Sequence, residues 1–245
     1  RHNDISHLRE LLKSEDPNAP KLIAFESVYS MEGDIAPVGK IVELAKEYNA
    51  LTYIDEVHAV GLYGVNGAGI AEREGIMDQL DIVNGTLGKA FGVGGGYIAG
   101  PAIILDAVRS FAPGFIFSTS ISPVIAAGAL ASVRHLRKNN ELRIQHQKKT
   151  KKLMAMLNDY HIPILPSQSH IVPVMVGDPR LVKDASDILL EENDIYVQPI
   201  NFPTVPKGTE RLRFTPSPLH TNEMLTNLAG ALDNVWSKLN LKRAS

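Results

Sequence analysis

The run Leu51-Thr52-Tyr53-Ile54-Asp55-Glu56-Val57-His58 decides the fold. Its first four residues are apolar or β-favouring, the pattern of a short buried strand, and its end delivers two acids and a histidine. A similar strand is expected at Leu22-Ile23-Ala24-Phe25, and a helix with Pro37 near its start separates the two. Helix alternating with all-apolar strand predicts an α/β fold whose sheet is covered on both faces. In open α/β sheets ligands bind beyond the carboxyl ends of the strands, so Asp55, Glu56 and His58 stand where chemistry is expected.

On the amino-terminal side, Ile5, Leu8, Leu11 and Leu12 recur at helical spacing after Asn3 or Asp4 as cap, predicting a helix over residues 4–15. On the carboxyl side, short strands are expected at Ile82-Val83 and Tyr97-Ile98, a helix over 102–109, and a small-residue helix over 123–136. From Arg137 to Lys152 the chain is dense in Lys, Arg, Gln and Asn with scattered apolar points, the pattern of one long exposed helix bridging two domains. A strand over 171–176, a helix over 179–192, strands near 195–197 and 211–213 and a helix over 221–239 then predict a second, α+β domain.

Composition excludes several classes of function. At 44% hydrophobic and 21% charged residues the chain is of ordinary globular type, and no apolar run reaches the ~18 residues of a spanning helix. With 25 basic and 27 acidic residues the net charge of -2 offers no general attraction for nucleic acid or a membrane surface. The basic run after Arg137 lacks interleaved aromatic residues to stack on bases and reads as a solvated helix face. The absence of cysteine rules out disulfides and thiolate metal sites, and no metal is expected. The opening at Arg1, without Met and already helical in pattern, is expected of a piece of a longer protein.

Downstream of the Asp-Glu-Val-His segment comes Gly85-Thr86-Leu87-Gly88-Lys89-Ala90-Phe91-Gly92, followed by Val93-Gly94-Gly95-Gly96. Three chemistries compete for these two segments. An NTPase would use Asp55-Glu56-Val57-His58 as a Walker B strand end and Gly88-Lys89 as a P-loop. It fails because Val83 and Ala90 stand where the P-loop needs Gly and Ser or Thr, and because the order is reversed. Dinucleotide binding is suggested by Gly94-Gly95-Gly96-Tyr97-Ile98-Ala99, but Tyr97 and Ile98 look like strand rather than the start of a helix. Pyridoxal phosphate (PLP) chemistry uses all the unusual residues at once. It needs a lysine for a Schiff base, a carboxylate for the pyridinium nitrogen, and hydroxyls with backbone N–H groups for the phosphate. Asp55, His58, Thr86 and Lys89 suit these roles, although His58 alone also reads as an ordinary loop histidine.

The order Asp, His, then a lysine about thirty positions later resembles the fold-type I aminotransferase superfamily, and within it the α-oxoamine synthases. Phe25-Glu26-Ser27-Val28-Tyr29-Ser30-Met31-Glu32-Gly33-Asp34, Asp55 through Gly64, Gly69-Ile70-Ala71-Glu72-Arg73-Glu74-Gly75, Gly85 through Gly92, Phe115 through Ser120 and Arg211 through Pro218 are similar, in order, to blocks of the 5-aminolevulinate synthases. Val65-Asn66 depart from a frequent Pro-Arg, in a loop. The resemblance implies a fold-type I PLP-dependent transferase, with residues 1–135 as the C-terminal part of the large PLP-binding domain and 136–245 as a small C-terminal domain. It implies condensation of glycine with succinyl-CoA, a homodimer, and a cytoplasmic or mitochondrial-matrix setting. Another α-oxoamine synthase using a different acyl-CoA, or an inactive fragment of one, is the alternative.

By the same resemblance Lys89, Asp55 and His58 are catalytic and hold the cofactor with Thr86, Ser30 and Thr119, while Arg213 takes the glycine carboxylate and Thr204 lies near the acyl group. Apart from the resemblance, Thr119 and Thr204 read equally as turn or cap hydroxyls, whereas for Arg213 the reading as a surface arginine on a strand is the lesser one. An upstream segment supplying a ring-stacking aromatic residue, a phosphate loop and most acyl contacts is also implied, so the 245 residues alone are expected to be inactive.

Overall fold

The structure, a computed structural model, describes residues 1–118 and 120–244. It divides into two compact units. The first comprises Arg1–Val28 and Ile35–Asn140, and the second comprises Tyr29–Asp34 and the chain from Glu141 onward.

In the first unit α1 (Ile5–Ser14) starts where the Asp4 carboxylate accepts the His7 backbone N–H at 2.9 Å. Then follow β1 (Lys21–Glu26), α2 (Val38–Glu47), β2 (Ala50–Asp55), the short α3 (Ile70–Arg73), β3 (Ile82–Thr86) and β4 (Gly96–Ala99), with α4 (Ala102–Phe111), α5 (Pro113–Ile116) and α6 (Pro123–Lys138) at the end. The sheet order is β1-β2-β3-β4, with the first three strands parallel and β4 antiparallel to β3. In register, Glu26 pairs with Asp55 and Asp55 with Asn84, which lines up polar residues at the carboxyl edge. The Asp81 carboxylate accepts both the backbone N–H and the hydroxyl of Thr52, at 2.8 and 2.9 Å, joining β2 to the approach of β3.

Alternation along β1 and β2 buries Ile23, Phe25 and Ile54, and α2 buries Val38, Ile41, Val42, Leu44 and Ala45. On the other face the register partners Leu22 and Leu51 remain 57% and 46% exposed. The expectation of a sheet covered on both faces therefore holds for one face among the described residues. An all-apolar strand does not reveal whether its second cover is supplied by the same stretch of chain.

The second unit contains α7 (Asn140–Asp159), β5 (Val172–Met175), α8 (Pro179–Asn193), β6 (Pro199–Ile200), β7 (Arg211–Phe214) and α9 (Asn222–Lys238). Its antiparallel sheet has the order β5-β7-β6. Leu153 and Leu157 of α7, Val182 and Leu189 of α8, Val174, Leu212, and Leu232 and Trp236 of α9 close a continuous core. The buried indole donates its Nε1–H to the Lys242 carbonyl at 3.2 Å.

Two elements differ from expectation. The long helix expected from Arg137 starts instead at Asn140 and runs to Asp159, because Asn139 leaves helical geometry (φ -115, ψ 68) and its side chain donates to the His135 carbonyl at 2.7 Å. α7 also buries Arg143, His146, Thr150, Leu153 and Leu157 at spacings of three and four, a stripe hidden from hydropathy because three of these five residues are polar. The strand expected near 195–197 is absent. Asp194 turns left-handed (φ 55), Ile195 N–H returns to the Leu189 carbonyl at 2.9 Å, and the Val197 carbonyl accepts the Ser186 hydroxyl at 2.6 Å instead of a strand partner. Among the described residues no helix is long and apolar enough to cross a membrane.

Candidate active site

The carboxyl ends of β2 and β3 build the site in the first unit. Asp55 is the last residue of β2, half-buried. One carboxylate oxygen accepts the Val57 backbone N–H at 2.8 Å and the other the Asn84 side-chain amide at 3.2 Å. These two donors fix the plane of the carboxylate, and among the described residues no cation is paired with it. Asn84 is a contributor that sequence reading missed, since a lone asparagine in an apolar strand carries no pattern.

After β2 the chain turns tightly. The Glu56 carbonyl accepts the N–H groups of Ala59 and Val60 at 2.7 and 2.8 Å, leaving the half-buried His58 at the tip. Lys89 arrives from the loop following β3. That loop is closed by Leu87 N–H to the Gly95 carbonyl, Val93 N–H to the Leu87 carbonyl and Gly92 N–H to the Lys89 carbonyl, at 2.9, 2.9 and 3.0 Å. Leu87 and Phe91 anchor it by burial with Val60 and Ala129. The turn and the loop approach each other at Gly61 (φ +83), where an added Cβ would stand 2.6 Å from Ala90 Cβ. The result is an exposed lysine with Nζ 3.2 Å from His58 Nε2. An accessible amine beside an imidazole nitrogen is suited to covalent chemistry with a carbonyl compound. Thr86, the last residue of β3, accepts the Gly88 N–H at 3.1 Å and lies 3.4 Å from the Gly95 carbonyl.

Asp55, His58, Thr86 and Lys89 thus belong to the first unit, whereas Ser30, Thr204 and Arg213 belong to the second. Arg213 and Arg211 lie two apart on β7 and hold the segment 29–34. Arg213 donates to the Ser30 carbonyl at 2.9 Å, and Arg211 donates to the Met31 carbonyl at 3.0 Å. The hydroxyl of Ser167 adds a bond to the Gly33 carbonyl at 2.7 Å. Burial pushes the Arg213 pKa below its ordinary value, and no carboxylate pairs with it among the described residues. A half-buried guanidinium in that condition is suited to an incoming carboxylate. It borders a cavity of about 550 Å³ together with Val197, Ile200, Phe214, His220 and Met224. Thr204 is exposed, in a turn whose N–H bonds the Asn201 carbonyl at 2.9 Å. Thr119 lies outside the described residues. Among the described residues no cluster of three or more His, Asp or Glu could hold a metal ion.

The family model for aminotransferase class I and II matches residues 1–232, and the chain belongs to this family. More particularly, it is 58% identical over 246 residues to the 5-aminolevulinate synthase of Rhodobacter capsulatus, an alignment covering 100% of this chain and 60% of that protein. Among solved structures, SPT with PLP as an internal aldimine superposes with a TM-score of 0.93 at 31% identity, over 98% of this chain and 61% of that one. Sphingomonas wittichii serine palmitoyltransferase also gives 0.93, at 29% identity over 98% of this chain and 60% of that one. The fold is that of the fold-type I PLP-dependent transferases. The chain spans about 60% of the length of the curated relatives it matches.

Proposed function

We propose that this chain carries the lysine-bearing part of a PLP-dependent 5-aminolevulinate synthase, which condenses glycine with succinyl-CoA and releases 5-aminolevulinate, CoA and CO2. The observation that carries the reading is the 3.2 Å approach of Lys89 Nζ to His58 Nε2 beside the fixed carboxylate of Asp55. The identity to the Rhodobacter capsulatus enzyme supports the choice of reaction.

The donor set fits the cofactor. Each Asp55 oxygen accepts one hydrogen bond and retains capacity for another, so the carboxylate can take a pyridinium N–H. Bound PLP would supply an electron sink for charge developing at the glycine α-carbon. Lys89 would be the residue to hold the cofactor covalently, and its amine, once free, would be placed to take the proton from that carbon. His58 would hydrogen-bond the ring hydroxyl, and Thr86, Ser30 and Thr119 would be the further cofactor-binding residues. The remaining N–H groups of Arg213 grip the glycine carboxylate as a fork, and Thr204 lies by the acyl group. Residues 1–135 act as the C-terminal part of the large cofactor-binding domain and 136–245 as the small domain. A homodimer in the bacterial cytoplasm accords with the bacterial relatives, and a eukaryotic source would place it in the mitochondrial matrix.

The likeness to serine palmitoyltransferase favours a second reading, a synthase of the same mechanism with another acyl-CoA. The deciding experiment is borohydride reduction of the whole protein with PLP, followed by peptide mapping and a product assay. Label on Lys89 and aminolevulinate from glycine and succinyl-CoA are expected. Label on another lysine removes the assignment of Lys89, and turnover only with a different acyl-CoA selects the second reading.

A further inference from the structure

Glu56 sits between Asp55 and His58, and its side chain points the other way, into the protein, with no exposed surface. Its carboxylate is a junction. Oε2 accepts the Ser27 hydroxyl at 2.5 Å and the Ile70 backbone N–H at 3.0 Å, while Oε1 accepts the Ala71 N–H at 2.8 Å. Its own N–H donates to the Asn84 carbonyl at 2.8 Å, and the Asn84 side chain in turn holds Asp55. Its carbonyl closes the turn that bears His58. One residue thereby joins the residue after β1, the middle of β3, the start of α3 and the turn. The backbone is built around this carboxylate: Gly69 has φ +117, and an added Cβ there would stand 2.6 Å from the Glu56 carboxylate.

We propose that Glu56 is a positioning residue for the cofactor site: through its buried carboxylate it sets the turn that presents Asp55 and His58 to Lys89. This rests on the reading above for what the site binds, but not for the geometry itself. A hydrophobic side chain would bind the same elements less directionally. Here three donors, one hydroxyl and two backbone N–H groups, converge on two oxygens, so the position of the residue is specified within the tolerance of a hydrogen bond. Burial pushes the carboxyl pKa up, and the bonds from Ser27, Ala71 and Ile70 offset this in part. Glutamine keeps the shape but places an NH2 group against at least one N–H, so the junction cannot be satisfied.

The test uses the whole protein carrying Glu56→Gln and, as a variant that spares the fold, Ser27→Ala. Two quantities are measured: the titration midpoint of His58 by NMR without cofactor, and the dissociation constant for PLP. Glu56→Gln is expected to shift the His58 midpoint and weaken PLP binding about tenfold, the effect of leaving buried donors unsatisfied. Ser27→Ala should move both in the same direction by less, and it decides the matter should Glu56→Gln fail to fold. A lowered melting temperature with both quantities unchanged would mean a purely structural carboxylate and would overturn the proposal. A shifted His58 midpoint in a protein that binds no PLP even with Glu56 intact would sink the functional reading and leave the positioning role standing.

Discussion

The stretch from α4 to α6 in the first unit and the core of the second unit treat apolar residues in opposite ways. In the second unit Leu153, Leu212, Leu232 and Trp236 are at most 1% exposed, closed in by three helices and a sheet. Between Ala102 and Lys138, Ala129 alone is classed as buried among the described residues, while Ile103 and Phe117 are 81% and 87% exposed and Phe111 and Val124 are similarly open. The second unit closes its own core, whereas the stretch from α4 to α6 leaves its apolar side chains open among the described residues.

The sharpest way to break this comparison is to delete a large side chain from each region of the whole protein and follow denaturant unfolding. Trp236→Ala should cost about 3–5 kcal/mol, because it empties a closed core. Phe117→Ser should change stability by no more than ~0.5 kcal/mol if its ring remains on an open surface. Equal losses would mean that the two regions are equally closed in the whole protein.

A smaller effect sharpens the division of labour between the units. Arg213→Lys keeps the charge in the second unit but loses the planar fork, and the KM for glycine should rise about tenfold while kcat changes less. An unchanged glycine KM would remove Arg213 from substrate binding.

The smallest effect concerns pH and separates the closed core from the open surface. His146, buried in the second unit beside His170 with ring centroids 5.1 Å apart, has its pKa pushed below the ordinary 6.5, chiefly by burial. As pH falls through 6.5 the unfolded chain takes up this proton before the folded one, so the contribution to stability declines towards the folded pKa and then levels off. The melting temperature should therefore fall as the pH drops below 6.5, and His146→Gln should flatten that slope. An identical slope in the variant would assign the decline to other groups.

Much of the site was legible before folding was considered. The strand ending in Asp55 and the glycine-flanked Lys89 announce themselves because a strand end and a tight loop demand particular residue types at short range. Asn84 and Glu56 did not, since their partners at Asp55, Ser27 and Ile70 are distant in sequence. Arg211 was quoted in a motif, yet its hold on Met31 spans most of the chain and left no local trace. The inward stripe of α7 escaped because Arg143, His146 and Thr150 are polar, and hydropathy registers solvation cost rather than available partners.

The sequence by itself determined most of the succession of helices and strands, the family, and which residues are candidates for the reactive groups, because periodicity, turn chemistry and motif order are local properties of the chain. Only the tertiary structure decided that Lys89 reaches His58, that Glu56 faces inward rather than toward the site, and that the Leu22–Leu51 face of the sheet stays open among the described residues. Those outcomes depend on strand register and on which loops meet, and both are set by packing between residues far apart in the chain.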